Sequence, residues 1–168
     1  FTIEATLTGV NGAKLTGNVI VTINSKQYLV TVIDGKGTLE GINLPAGSYD
    51  FSARFAGNDN YNAVIDSDKF NVNKIDPILD VSINNTQIGE NTTITVNLPS
   101  DAEGNVIITI DGQNYIGAIT EGKVIIEVPN LKEGTYDVAI NYNGDNNYNK
   151  ANSTASFTIS KINPVLDV

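Results

Sequence analysis

The chain repeats itself. Sliding the sequence by 87 residues lays Gly17–Val81 over Gly104–Val168 without a gap, and 26 of the 65 aligned positions are identical. GNVIVTIN (Gly17–Asn24) falls on GNVIITID (Gly104–Asp111), LPAGSYD (Leu44–Asp50) on LKEGTYD (Leu131–Asp137), GNDNYN (Gly57–Asn62) on GDNNYN (Gly144–Asn149), and KIDPILDV (Lys74–Val81) on KINPVLDV (Lys161–Val168). Self-similarity at a fixed period means that one structural unit is built twice. The fold therefore has to close within the length of one period, which is domain-sized.

Within a period the apolar residues alternate with polar ones, and turn residues interrupt them. In the second repeat this reads as strands near Ile78–Asn84, Asn91–Leu98, Asn105–Asp111, Asn114–Ile119, Lys123–Val128, Thr135–Asn143 and Ala151–Ser160. Tyr136, Val138, Ile140 and Tyr142 point one way while Asp137, Ala139 and Asn141 point the other, and Tyr49, Phe51, Ala53 and Phe55 repeat the pattern. Asp34-Gly35, Asp111-Gly112, Glu121-Gly122 and Asn143-Gly144 mark turns. No stretch holds a helical period. The expected fold class is all-β: tandem immunoglobulin-like β-sandwiches with about seven strands per repeat.

Composition narrows the chemistry. The chain has no Cys and no His, so it lacks disulfides, thiolate nucleophiles, the usual zinc ligands and the commonest general base at neutral pH. Ser–His chemistry is excluded, Ser–Lys chemistry has no cleft to mark it, and the expectation is a protein that is not an enzyme and takes no cofactor. Nineteen acidic against ten basic residues give a net charge of −9, which repels phosphate backbones and argues against nucleic acid. No stretch reaches the ~18 apolar residues a membrane-spanning helix needs.

One motif is specific. Leu44-x-x-Gly47-x-Tyr49 and Leu131-x-x-Gly134-x-Tyr136 have the form of a tyrosine corner, in which Tyr49 and Tyr136 would return their hydroxyls to backbone just upstream. A buried ring with a polar tip needs such a partner. Together with GNVIITIDG (Gly104–Gly112) and the run Leu131-x-x-Gly-Thr-Tyr-Asp-Val-x-Ile-x-Tyr-x-Gly-Asp-x-Asn-Tyr148, the motif resembles the bacterial Ig-like repeats of group 3. The resemblance covers essentially the whole chain. It implies a place in arrays of surface proteins, including adhesin-like proteins of bacteria and methanogenic archaea, and a spacer role there. It names no ligand.

The ends are out of phase with the repeat. On the ungapped alignment Phe1 falls with Ile88, so the first repeat, residues 1–75, has no counterpart of Pro77–Gln87, its strand A. The second repeat takes residues 76–162, and 163–168 begin strand A of a following repeat. The expectation is a window cut from a longer array. The alternative is a filament subunit that exchanges strands head to tail, with Pro164–Val168 beside the next chain's Phe1–Gly9. Pro77 stiffens the junction between repeats.

Other candidates are weighed the same way. The loops Gly57–Asn62 and Gly144–Asn149 offer oxygen ligands for Ca²⁺, with Asp59 and Asp145 as first ligands; but each has one carboxylate, and a hairpin loop explains the same residues. Asp66 and Asp68 share one strand face and read as solvated, since Ser153 and Ala155 replace them in the other repeat. An isopeptide cross-link needs a buried Lys; Lys36, Lys74, Lys123 and Lys161 recur at turns or junctions, and Lys14 does not recur. Asn84, Asn91 and Asn152 head Asn-x-Ser/Thr sequons, open to glycosylation in a secreted protein. The partners expected are neighbouring repeats of the same polypeptide, with an adhesive module for a host protein or glycan as the rival reading, and the expected location is the cell surface.

Overall fold

The computed structural model describes residues 2–166 and divides the chain into two compact units, Phe1–Asn73 and Lys74–Val168. The division falls two residues before the Ile75/Asp76 boundary expected from the sequence, because Lys74 and Ile75 are tied to a loop of the second unit. The described residues hold no α-helix.

In the first unit β1 (Ile3–Thr6) pairs antiparallel with β4 (Lys36–Leu39). The other sheet runs β3 (Lys26–Val32), β2 (Gly17–Ile23), β5 (Gly47–Phe55), β6 (Val64–Val72). In the second unit the smaller sheet runs β12 (Lys123–Val128), β9 (Thr92–Asn97), β7 (Asp80–Ile83). The larger runs β11 (Gln113–Ala118), β10 (Asn105–Ile110), β13 (Gly134–Tyr142), β14 (Ala151–Ser160), β8 (Thr86–Gln87), the last pairing in parallel.

Alternation decides what each sheet buries. In β13 Val138, Ile140 and Tyr142 are buried while Asp137, Ala139 and Asn141 are exposed, so one face closes the core and the other meets water. The core of the second unit includes Ile94, Val106, Ile108, Val124, Ile140 and Ile159, each at 0–1% exposure. Side chains of this size contribute about 1.5–3 kcal/mol each when fully buried. Val21, Ile23, Val30 and Val32 hold the equivalent place in the first unit. The tight turns follow the residues that form them: Asp34-Gly35, Asp111-Gly112 and Glu121-Gly122 all have positive φ at both positions, the geometry that suits a two-residue hairpin.

Three expectations need correction. The count is not seven strands per repeat: among the described residues the second unit has eight and the first has six. The strand expected at Ile78–Asn84 instead leaves one sheet for the other. Asp80–Ile83 pairs with β9, the chain turns at Asn84-Asn85, and Thr86–Gln87 joins β14, with Asn85 Oδ1 accepting the Thr158 amide at 2.9 Å. The alignment of Phe1 with Ile88 also fails. Ile3 faces Leu39 as Ile94 faces Ile126, and the Leu7 amide bonds Gly35 O as the Leu98 amide bonds Gly122 O, so the offset is 91 here against 87 beyond Gly17. The first unit carries four extra residues after β1, held by the Thr8–Lys14 bridge around a short 3₁₀ turn at Val10–Gly12. Its β1 therefore begins further along the template than the sequence alignment implies.

Candidate functional site

The loop after β13 draws several polar groups partly out of water. Gly144 sits at φ 80°, and a Cβ there would meet Tyr148 O at 2.7 Å, so the chain can turn here only without a side chain. Asp145 follows. Its Oδ1 accepts the amides of Asn147 and Tyr148, both at 2.7 Å. Its Oδ2 accepts the Glu103 amide and the Tyr142 hydroxyl, both at 2.8 Å. The Tyr142 oxygen also lies 3.1 Å from Glu103 O, and Tyr148 donates to Asp101 Oδ1 at 2.6 Å. One carboxylate thus joins the loop, the end of β13 and the segment before β10.

The electrostatics follow from this cage. Burial pushes the Asp145 carboxyl up, but the Glu103 amide, the Tyr142 hydroxyl and the Tyr148 and Asn147 amides outweigh it and hold the pKa down at about 2. Burial, then the Asp145 carboxylate, push Tyr142 well above the usual phenol range. Tyr148 is raised by its bond to Asp101 and then by burial.

The first unit builds the same loop with a different pair. Asn58 stands at the Asp145 position, and its Oδ1 accepts the Asn60 and Tyr61 amides at 3.0 and 2.9 Å. Phe55 stands where Tyr142 does, so no hydroxyl asks for a second carboxylate oxygen. Asp59, proposed from sequence as the partner of Asp145, corresponds to Asn146 and is exposed. The two calcium candidates are therefore not equivalent, and Asp145 already has two bonds on each oxygen, the usual acceptor capacity of a carboxylate. No cluster of three acidic side chains suited to a metal ion occurs among the described residues. We expect EDTA to leave both melting transitions in place; a drop of several degrees that Ca²⁺ reverses would contradict this.

The segment leading into the second unit is seated on this loop. The Ile75 amide donates to Asn147 O and its carbonyl accepts the Asn149 amide, both at 2.9 Å. Lys74 Nζ donates to Asp145 O at 2.6 Å, and Asn149 Nδ2 to Asp76 Oδ1 at 2.7 Å.

At the other end of β5 and β13 the two tyrosines close back on the chain. Tyr49 donates to Pro45 O at 2.8 Å and Tyr136 to Lys132 O at 3.0 Å. Each ring stacks on a Phe of the next strand, Phe70 or Phe157, with centroids 5.4 Å apart in both units. Tyr49→Phe should cost about 1 kcal/mol, the net worth of one such hydrogen bond; an unchanged denaturant midpoint of the first unit would show that the hydroxyl carries no stability.

The remaining candidates are surface residues. Asn84, Asn91 and Asn152 are all exposed, Asn152 on β14. Lys14, Lys36, Lys74, Lys123 and Lys161 are exposed as well, which removes the buried Lys that a cross-link requires. Asp66 and Asp68 are exposed on β6. An open depression of about 670 Å³ on the outer face of the larger sheet of the second unit is lined by Thr109, Asp137, Ala139, Thr154 and Ser156, with no aromatic side chain.

Two packed sheets, antiparallel but for the β14–β8 pair, with a tyrosine tied back at the start of β13 define an immunoglobulin-like β-sandwich. Residues 79–160 match the model of the bacterial Ig-like domain (group 3), and this stretch is a member of that family. No curated protein matches the chain. Among solved structures it is similar to the titin domains Z1Z2 in complex with telethonin (15% identity, 97% of this chain and 89% of that one, TM-score 0.47). It is also similar to fibronectin(III)-like modules of CbhA from Clostridium thermocellum (12%, 95% and 86%, 0.40) and to CopC from Methylosinus trichosporium OB3b (16%, 54% and 99%, 0.41). No helix among the described residues is long and apolar enough to cross a membrane.

Proposed function

We propose that the chain is a non-enzymatic spacer: tandem immunoglobulin-like sandwiches in the stalk of an extracellular, adhesin-like surface protein. One observation carries the reading. The polar residues the two repeats share hold the sandwich together: the tyrosines at Tyr49 and Tyr136 bond backbone, and the Asx turns at Asn58 and Asp145 organise the loops. A spacer needs soluble faces and a repeated frame, and both are present with a net charge of −9.

The partners in this reading are neighbouring repeats of the same polypeptide. The rival, an adhesive module for a host protein or glycan, would use the outer-face depression of the second unit, whose lining of small polar side chains gives an adhesive partner little to stack on. Two measurements test the proposal. Antibodies against the chain should label intact, unpermeabilised cells. Exchanging the chain for two unrelated sandwiches of equal length should leave the attachment of those cells unchanged; loss of attachment would overturn the spacer reading in favour of the adhesive one.

A further inference from the structure

One place on the outer face sets the two repeats apart. On the larger sheet of the second unit Asp137 faces Ser156 across β13 and β14, and Ala139 stands between Thr109 and Thr154. Asp111 follows β10 at the Asp137 end. These side chains line the open depression of about 670 Å³. The lining holds two carboxylates and no basic residue, and among the described residues neither carboxylate has an ion-pair partner. The first unit builds the same place from Thr22, Asn24, Asp50, Ser52 and Ser67. The turn is the same, with positive φ at Asn24 and Ser25 as at Asp111 and Gly112. Here the space is only about 260 Å³, and Asp50 is met by a cation: Lys69, opposite it on β6, sets Nζ 3.0 Å from its Oδ1. On the 87-residue offset Lys69 becomes Ser156 and Asn24 becomes Asp111. Both places are built on the same three strands, β2, β5 and β6 or β10, β13 and β14, so the contrast is one of side chains. The second repeat keeps the carboxylate, drops the ammonium that answers it and adds a second carboxylate to the same lining.

We propose that the depression receives a lysine side chain of a basic partner protein, whose ammonium lies on Asp137 and Asp111 as that of Lys69 lies on Asp50. The chemistry follows from the lining. Ala139 leaves room for the aliphatic stem, and the hydroxyls of Thr109, Thr154 and Ser156 can accept the ammonium protons that the carboxylates do not. Charge selects the source. The second unit carries twelve acidic residues against five basic, the first seven against five. A field of this sign draws a basic protein, and it repels a second copy of a chain whose net charge is −9. Both carboxylates are exposed, so one lysine adds little by itself. A partner binds firmly by setting several lysines against this face or against more than one chain. The contact adds a partner to the spacer reading and does not rest on it.

Titration of the ¹⁵N-labelled chain with the peptide Ser-Lys-Ser-Lys-Ser, blocked at both ends, tests this. Saturable shifts are expected at residues 109–112, 137–139 and 154–156, fading in high salt, with no counterpart around Asp50. Ser156→Lys rebuilds the ion pair of the first unit at an exposed position and should weaken binding roughly tenfold or more. The reverse exchange, Lys69→Ser with Asn24→Asp, should give the first unit shifts at residues 22–25 and 50–52 that it otherwise lacks. No saturable shift at ~10 mM peptide, equal shifts from the peptide with both lysines Nε-acetylated, or full binding by Ser156→Lys would each overturn the proposal. So would shifts at the same residues that grow with chain concentration in the absence of peptide, which would assign the depression to a second copy.

Discussion

Replacing Asp145 by Ala should cost the second unit roughly 2–4 kcal/mol, because it strips partners from three amides and a buried phenol at once. The first unit shows how to repair the loss. There the same loop is held by Asn58 beside Phe55. Asp145→Asn alone leaves the Tyr142 hydroxyl and the Glu103 amide facing an amide group that offers one acceptor instead of two. Adding Tyr142→Phe removes the hydroxyl and recreates the Phe–Asn pair. The double variant should therefore be more stable than the sum of the singles predicts, with a coupling of about 1–2 kcal/mol. Acid gives a second readout. The carboxyl sits at about 2 when folded and near 3.9 when unfolded, so its contribution is fully present above pH ~4 and is lost as pH falls toward 2. That part of the acid dependence should vanish in Asp145→Asn. Strict additivity in the cycle, or an unchanged acid slope, would show that Asp145 is not the residue on which the loop is built.

The strands were legible because alternation survives in nearly every one of them. Lys123–Val128 and Ala151–Ser160 fall where the apolar period places them. Position-by-position comparison carried less, since it cannot see compensation. Val30 and Gly37 pack together in the first unit, where a Cβ on Gly37 would lie 2.8 Å from Val30. The aligned residues of the second unit are Gly117 and Val124, and there a Cβ on Gly117 would collide with Val124. The large and the small residue have changed places across one contact, so two mismatches in the alignment are one conserved volume in the core. The offset before Gly17 was hidden for a related reason. A loop insertion after β1 leaves no mark in an ungapped comparison, whereas the β1–β4 register exposes it at once.

The site was less legible. Turn chemistry in Gly57–Asn62 and Gly144–Asn149 was plain from Gly, Asn and Asp, but the choice of Asp59 followed residue type rather than position. The partners that make Asp145 structural lie far off in sequence: Glu103 is 42 residues away, and Tyr148 reaches Asp101 across 47. No local pattern announces such pairs. The one sequence signal was the matched exchange of Tyr142 and Asp145 for Phe55 and Asn58, which becomes meaningful only once the loop is seen to join them.

The second large effect should separate the two units. Ile23 and Ile110 occupy the same place in β2 and β10, and each is 2% exposed. Truncation to Ala costs about 2–5 kcal/mol at such a site. The surroundings are unequal. Among the described residues nine buried apolar residues form the first core and fifteen the second, and no strand lies against β1 and β6 as β7 and β8 lie against β9 and β14. A unit of this size holds about 4–10 kcal/mol when complete, and the first belongs at the low end. The unaltered chain should therefore melt in two steps, the first unit before the second. Ile23→Ala should remove most of the first unit's stability, so that its amide signals collapse at 37 °C while those of the second unit stay dispersed. Ile110→Ala should lower only the upper transition and leave both units folded at that temperature. Calorimetry gives the two transitions, and amide spectra assign them. A single transition moved by either variant, or a lower transition that belongs to the second unit, would mean that the open side of the first unit costs it no stability.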